Sequence, residues 1–228
     1  MKPEKPKARP RPVRKPVKEK RPSRERADPF KNRKHLLTDT IFLIGNGKSR
    51  ETFDLERLRG KGTIIGCNAL YRDFAPDILV AIDAKLIKEI NEAKYGEEHY
   101  ILLPANRSLT VKGALHWRTD QFNTSGCFAM KCIMDIMKPS KCYMLGMDAY
   151  PGNVYDKTKN YSVNTLQNFS GVINFYLKVL RREGSTIFYN VNTHDTWTKE
   201  AHSTGKYRFI TFEEFEEQVM KDENMAQE

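Results

Sequence analysis

Residues 40–49, Thr-Ile-Phe-Leu-Ile-Gly-Asn-Gly-Lys-Ser, constrain the fold of this chain more than any other stretch. Five residues of strand character run without a break into a glycine-bearing turn. A short run of β-branched, aromatic and aliphatic residues reads as a strand buried on both faces. Gly45 and Gly47 then permit a sharp turn and let the backbone approach a ligand closely. Arg50-Glu51-Thr52 follows and would open a helix whose first N–H groups face whatever lies above the turn. Strand, glycine turn and helix in that order make a phosphate-binding arrangement, to which Lys48 adds a cation and Ser49 a hydroxyl. The competing reading is a tight strand-to-helix turn that holds nothing. Two named motifs are excluded. A P-loop needs glycine where Phe42 stands, and a dinucleotide fingerprint needs glycine where Arg50 stands. Neither ATP hydrolysis nor NAD binding follows from this turn.

The rest of the chain repeats the strand-then-helix alternation of an α/β domain. Residues 53–58 suggest a short helix, and 63–67 a second strand, with Asn68 at its carboxyl end. Ligands of open α/β sheets sit at such ends, and an asparagine there can equally cap a helix. Residues 78–82 form a third buried strand closed by Asp83, which either caps the amphipathic helix predicted over 84–93 or meets a ribose hydroxyl or a metal. Residues 99–103 read as a fourth strand and 114–118 as a short one carrying His116 as an ordinary residue. Thr124-Ser125-Gly126 then opens an apolar helix over 127–137. Hydroxyls and glycine at a helix start form a second candidate anion site, or simple capping. A strand over 141–146 leads to Asp148 and Tyr150, and a polar loop over 151–162 with Tyr155 and Tyr161 can lie over a ligand as a lid. The periodicity of 163–184 predicts a long core helix. Residues 186–191 make another strand, His194 follows it in a loop, residues 207–210 are extended, and Thr211 to Glu214 reads as a capping box that opens a terminal helix. The expected fold is a Rossmann-like, mostly parallel sheet flanked by helices.

Charge divides the chain unevenly. Residues 1–34 hold fifteen Lys and Arg against four Asp and Glu, and seven of the eleven prolines; residues 35–228 are nearly neutral. The first segment carries few large apolar groups (Val13, Val17, Phe30) and is expected to be a disordered or extended basic tail. The domain then spans 35–222, with a frayed end over 223–228. Such a tail can hold a polyanion by counterion release, or dock on an acidic or assembly partner. Only Phe30 could stack a base, so any nucleic-acid signal is electrostatic. No apolar run is long enough to span a membrane, and the start of the chain lacks the apolar segment of a secretory signal. Four cysteines without paired spacing read as core residues of a reduced, cytoplasmic protein, and no zinc-type cluster is present. The oligomeric state is not encoded in any of these features.

Several of these pieces, in order over about residues 40–155, resemble one known pattern. Gly45-Asn46-Gly47-Lys48-Ser49 is similar to the "GNGPS" turn of bacterial sialyltransferases of the Campylobacter type. It is similar too to the turn of the related domain in motility-accessory glycosyltransferases and MptE-like hydroxymethylpterin diphosphokinases. Cys67-Asn68 with Tyr71 looks like their "CN-x-x-Y", Pro76-Asp77 to Asp83 like their "PD-apolar-iD", and Thr124-Ser125-Gly126 with Gly146, Asp148 and Tyr150 like "TSG … L-x-G-x-D-x-Y". The resemblance extends to small members carried by bacteriophages, which keeps a virion or host-takeover role in view. It implies a nucleotide cleft. Gly45, Asn46, Gly47 and Ser49 would lie at the phosphates or sugar, and Asn68, Thr124, Ser125 and Gly126 near a CMP-like ligand. Tyr150 and Tyr155 would lie at the donor phosphate. Lys48, in place of proline, would favour a more anionic ligand. A nucleotide-sugar donor of the CMP-, UDP- or GDP-type is the implied cofactor. The family's catalytic histidine has no counterpart in 160–168, which leaves His194 as the candidate base. Asp148 or Asp83 would hold Mg²⁺ if the chemistry were diphosphoryl transfer. The alternative is a domain that keeps the fold without catalysis and works as a binding or assembly protein through its basic arm.

Overall fold

The computed structural model describes residues 28–105, 110–163 and 169–219 of the 228-residue chain. The expectations for the tail before Asp28, for the frayed carboxyl terminus and for residues 164–168 of the long helix lie outside the described residues. Among the described residues eight strands form a single sheet, every neighbouring pair parallel. They are β1 (Thr40–Ile44), β2 (Thr63–Cys67), β3 (Ile78–Val80), β4 (Tyr100–Pro104), β5 (Leu115–Trp117), β6 (Lys141–Leu145), β7 (Ile187–Val191) and β8 (Tyr207–Ile210). Their spatial order is β5-β4-β3-β2-β1-β6-β7-β8. The chain winds outward from β1 to β5, returns through α2 (Ser125–Cys132), and winds outward again from β6 to β8. The reversal between β1 and β6 leaves a crevice above their carboxyl ends, where open α/β sheets receive ligands.

β1 earns its central place by its side chains. Ile41 and Leu43 enter the core on one face, with α2 and α3 (Ser170–Leu180), while Phe42 and Ile44 enter the core on the other, with Phe215 of α5 (Phe212–Val219). A third core lies between the outer strands and α1 (Ala84–Glu92), which buries Ile87 and Ile90 against Leu79 and Ile101. α5 opens on the predicted capping box: the Thr211 N–H donates to Glu214 Oε2 at 2.8 Å and the Glu214 N–H to Thr211 Oγ1 at 3.2 Å. All four cysteines are buried and free. No helix among the described residues is long and apolar enough to cross a membrane.

Four features depart from the sequence expectation. The turn after Gly47 opens no α-helix: Lys48–Arg50 is one 3-10 turn, as is Leu55–Leu58. Helix α3 begins at Ser170 and stops at Leu180. Helix α2 gives way at Ile133–Met137 to a π-helical turn that Pro139 follows. The fold also begins before residue 35. Phe30 is fully buried in the main core, in a turn closed by its own N–H on Asp28 Oδ1 at 2.7 Å and by the Arg33 N–H on its carbonyl at 2.8 Å. It has no ring face to offer a base.

Helix α2 is also anchored by a charge. Lys131 is 3 % exposed, and its ammonium donates to the Gln121 carbonyl and, at 2.6 Å, to Asp120 Oδ1. Arg182 bridges the same Asp120 and Asp135. Burial acts to raise the Asp120 carboxyl, but hydrogen bonds from Lys131 and Thr119 and the charges of Lys131 and Arg182 outweigh it and hold it below the usual range. Its contribution is therefore complete above the unfolded-state value of about 4 and is lost as acid carries the group through its lower folded value. Asp120→Ala is expected to cost about 1–2 kcal/mol, less than the ~3–5 of a fully enclosed pair because water reaches Asp120. Lys131→Met in that background should recover most of the loss in urea denaturation at pH 7, since it removes the stranded cation.

Candidate functional site

The crevice above β1 and β6 is a cavity of about 260 Å³. Its floor is two loops laced together: the Gly45 N–H donates to the Leu145 carbonyl at 2.8 Å and the Gly47 N–H to the Gly146 carbonyl at 2.9 Å. Gly146 has φ +67°, a conformation glycine adopts without strain. Asn46 and Asn68 stand on one side, Thr124, Ser125 and Gly126 on a second, and Asp148, Tyr150 and Asn153 on a third. Residues that are up to 131 positions apart in the sequence (Gly45 to Tyr176) thus face one space.

The wall at Thr124 follows from local capping. Thr124 Oγ1 accepts from the Cys127 N–H at 3.0 Å and shares a hydrogen bond with Tyr176 Oη at 3.2 Å. The first-turn amides of Ser125 and Gly126 have no partner within the helix. Behind them Tyr176 stacks on Trp197, with ring centroids 5.0 Å apart, and the Trp197 Nε1–H donates to the Met147 carbonyl at 3.1 Å. This aromatic backing ties the loop after β7 to the cleft wall. Cys67 also lines the cleft; burial pushes its thiol up to about 12, against a hydrogen bond with Ser125.

Two asparagines on the cleft wall stand out. Asn68 sits at φ +54°, a left-handed conformation that asparagine tolerates better than most residues. Asn46 donates from Nδ2 to Tyr161 Oη at 3.4 Å, and its carbonyl accepts the Val154 N–H at 2.8 Å. Among the described residues the side-chain oxygens of both asparagines, which are buried, have no hydrogen-bond partner. Such orphaned acceptors are uncommon because each forfeits its hydration.

The Gly-Asn-Gly-Lys-Ser turn is arranged differently from the phosphate grip that the sequence suggests. The Ser49 N–H (3.0 Å), Ser49 Oγ (2.5 Å) and Asn192 Nδ2 (3.1 Å) all donate to the Asp148 carboxylate. The anion on this turn is the protein's own. Burial, followed by the Asp148 charge, raises the Tyr150 phenol above its ordinary value. Lys48 is exposed, with its stem beside Gly152, and is not among the lining residues. Arg50, by contrast, is buried beneath the turn, donating from Nε to the Gly45 carbonyl at 2.6 Å and from Nη2 to Tyr155 Oη at 3.3 Å.

Of the residues singled out from the sequence, the cleft gathers Gly45, Asn46, Gly47, Asn68, Thr124, Ser125, Gly126, Asp148 and Tyr150. Ser49 stands behind Asp148. Tyr155 is 5 % exposed in a small core with Ala69 and Leu86, and its hydroxyl donates to Asp73 Oδ1 at 2.5 Å. It braces the loop and does not reach the cleft. Asp83 caps α1, accepting the Lys85 N–H at 2.8 Å, and lines a neighbouring cavity of about 460 Å³ that shares Asn68, Thr124 and Ser125 with the first. His194 is exposed at the rim, its ring stacked on Tyr150 at 5.6 Å and its Nδ1 3.0 Å from Thr193 Oγ1. His116 lies exposed on β5 beside Thr110. Among the described residues no three His, Cys, Asp or Glu side chains gather into a cluster that would hold a metal. Sequence reasoning did not single out Arg50, Asn192, Trp197 or Tyr176 for this site, because each joins it through a partner 44 or more positions away in the sequence. No protein-family model, curated protein or solved structure matches this chain.

Proposed function

We propose that this domain binds a nucleotide in the crevice between β1 and β6 and acts as a glycosyltransferase-like transferase on a nucleotide-sugar donor. One observation carries the reading: the ends of three strands (β1, β2 and β6) and the start of α2 converge on a single cleft that contains two buried amide oxygens without a partner among the described residues. Such oxygens suit the hydroxyls of a ribose or the amino group of a base. The neighbouring cavity past Asn68 and Ser125 gives room for the rest of a donor. Two cavities of this size, joined along one wall, fall in the range of small-molecule sites. His194, stacked on the cleft-lining Tyr150, is the imidazole that this reading assigns as the base for an acceptor hydroxyl.

A panel of CMP, CDP, UDP, GDP and ATP tests the reading by thermal shift. A ligand at a hundredfold its Kd adds about 2.7 kcal/mol, which should raise Tm by about 5–10 °C for a chain of this size. Flat melting curves with all five would remove the nucleotide. His194→Ala should keep the shift and lose turnover; equal turnover would remove His194 from the chemistry.

A binding or assembly protein is the second reading, and the charge partition favours it. Residues 1–27 alone carry twelve Lys and Arg against three Glu. A chain that begins at Asp28 keeps Phe30 and separates the two readings. Loss of a salt-sensitive polyanion interaction, with no turnover in either form, selects the second. Unchanged turnover selects the first.

A further inference from the structure

We infer that the edge of the domain where the basic arm enters is a docking surface for single-stranded nucleic acid, held by ring stacking as well as by charge. The inference rests on the polyanion reading of the arm given above and is independent of the nucleotide cleft. Composition offered Phe30 as the ring for a base, and Phe30 is fully buried. The fold supplies other flat groups. The segment after Phe30 crosses the amino ends of the strands. The Leu36 carbonyl accepts from Thr63 Oγ1 at 3.0 Å, at the start of β2. The His35 ring lies 5.9 Å, centroid to centroid, from that of Tyr100, the first residue of β4. The Arg33 guanidinium stands over the same Tyr100 ring, 5.4 Å from its centroid. His35 is exposed, and Arg33 and Tyr100 are half-buried, so this group keeps planar surface in solvent.

Charge is placed for the same partner. Lys31 and Lys34 are exposed on either side of Arg33. Residues 1–27, with twelve Lys and Arg against three Glu, join the domain at Asp28. The carboxylates of this edge are partly engaged: Asp28 accepts the Phe30 N–H at 2.7 Å, and Glu97 pairs with Lys112 at 3.2 Å. Glu98, two positions before Tyr100, is exposed and subtracts one charge. A cationic arm that runs into a guanidinium, an imidazole and a phenol combines the two elements of single-strand binding, charge along the backbone and flat groups under the bases. An acidic protein surface would use the charge and leave the rings idle, and a duplex keeps its base faces within its own stack. Phe30, buried in the core, fixes this group before a strand arrives, which lowers the ordering cost of binding. The cleft described above lies at the carboxyl ends of the same sheet, so the two sites occupy opposite edges.

Fluorescence anisotropy of the full chain with a labelled oligothymidylate, and with an abasic deoxyribose-phosphate oligomer of equal length, tests the assignment, because the two differ in having bases and share their charge. The oligothymidylate is expected to bind about tenfold tighter, the scale of one stacked base. His35→Ala should cut that ratio to about threefold or less. Tyr100→Leu, which keeps apolar bulk against the core, should do the same. A chain that begins at Asp28 should bind both oligomers more weakly and with a smaller salt dependence, and should keep the ratio. Equal binding of the two oligomers by the full chain overturns the inference and leaves the polyanion reading standing. So does a ratio unchanged in both folded variants. Polyglutamate of matching charge that competes as well as the oligothymidylate assigns the arm to an acidic protein surface and overturns it too. If neither oligomer binds, the polyanion reading falls and takes this one with it.

Discussion

Phe30→Ala is expected to lower the unfolding free energy by about 3–5 kcal/mol, the usual cost of emptying a fully buried phenylalanine site. Phe30 is completely enclosed and belongs to the same core as Leu36, Ile41, Leu43 and the residues of α2. Its segment also reaches α2 electrostatically: burial, followed by the charges of Asp135 and Asp28, pushes the Cys132 thiol up. Two hydrogen bonds shape the turn that delivers the ring, from the Phe30 N–H to Asp28 and from the Arg33 N–H to the Phe30 carbonyl. The site cannot collapse easily, because the β1 side chains that border this core are held in register by parallel partners on both sides. In urea denaturation the midpoint should fall with an unchanged m value. A loss below about 1 kcal/mol would mean that residues 28–34 lie on the domain as a detachable flap. The measurement therefore also decides where the folded domain begins, and with it where a tail deletion can be made without damage.

How far the sequence alone could go is shown by β1 and Asp148. β1 was readable because its signal is local. An unbroken apolar run that ends in Gly-Asn-Gly predicts a doubly buried strand whether or not its neighbours are known, and Phe42 and Leu43 do enter opposite cores. Thr124 was readable for the same reason, since a cap is defined within four residues. Asp148 was marked as a strand-end carboxylate, but its role was not readable. Its partners are Ser49, 99 positions away, and Asn192, 44 positions away, and nothing local distinguishes a carboxylate that binds a ligand from one that fills the ligand's place. Tyr155 misled because a polar loop with tyrosines suggests a lid, whereas burial against Ala69 and Leu86 turned this ring inward. Phe30 misled because composition averages over a window, and one aromatic inside a basic, proline-rich segment carries little weight in such an average. The mostly parallel sheet followed from strand–helix alternation, whereas the order of its strands was not read from the sequence. The identity of the groups that face one another across the cleft required the fold.

Gly45→Ala is the other substitution with a large expected effect, and it acts on fold and site together. A Cβ at residue 45 would lie 2.2 Å from the Gly146 carbonyl oxygen and 2.8 Å from its carbon. Both are backbone atoms, so no rotamer change relieves the clash. The same oxygen accepts the Gly47 N–H at 2.9 Å, so a shift large enough to admit the methyl breaks the lacing between the loops after β1 and β6. Overpacking of this kind costs about 1–3 kcal/mol and occasionally more, and the upper end is expected here. The cleft floor opens in the process, so ligand binding should disappear even at temperatures where the variant remains folded. Gly171→Ala is the matched control. Nothing lies within 4 Å of its added methyl, and it sits in the first turn of α3, where alanine should stabilise by about 0.5–1 kcal/mol. Chemical denaturation of the two variants, with a nucleotide titration of each at 20 °C, checks both halves. A Gly45→Ala protein as stable as Gly171→Ala, and still able to bind, would show that the two loops yield without cost and that the floor of this crevice is not set by their contact.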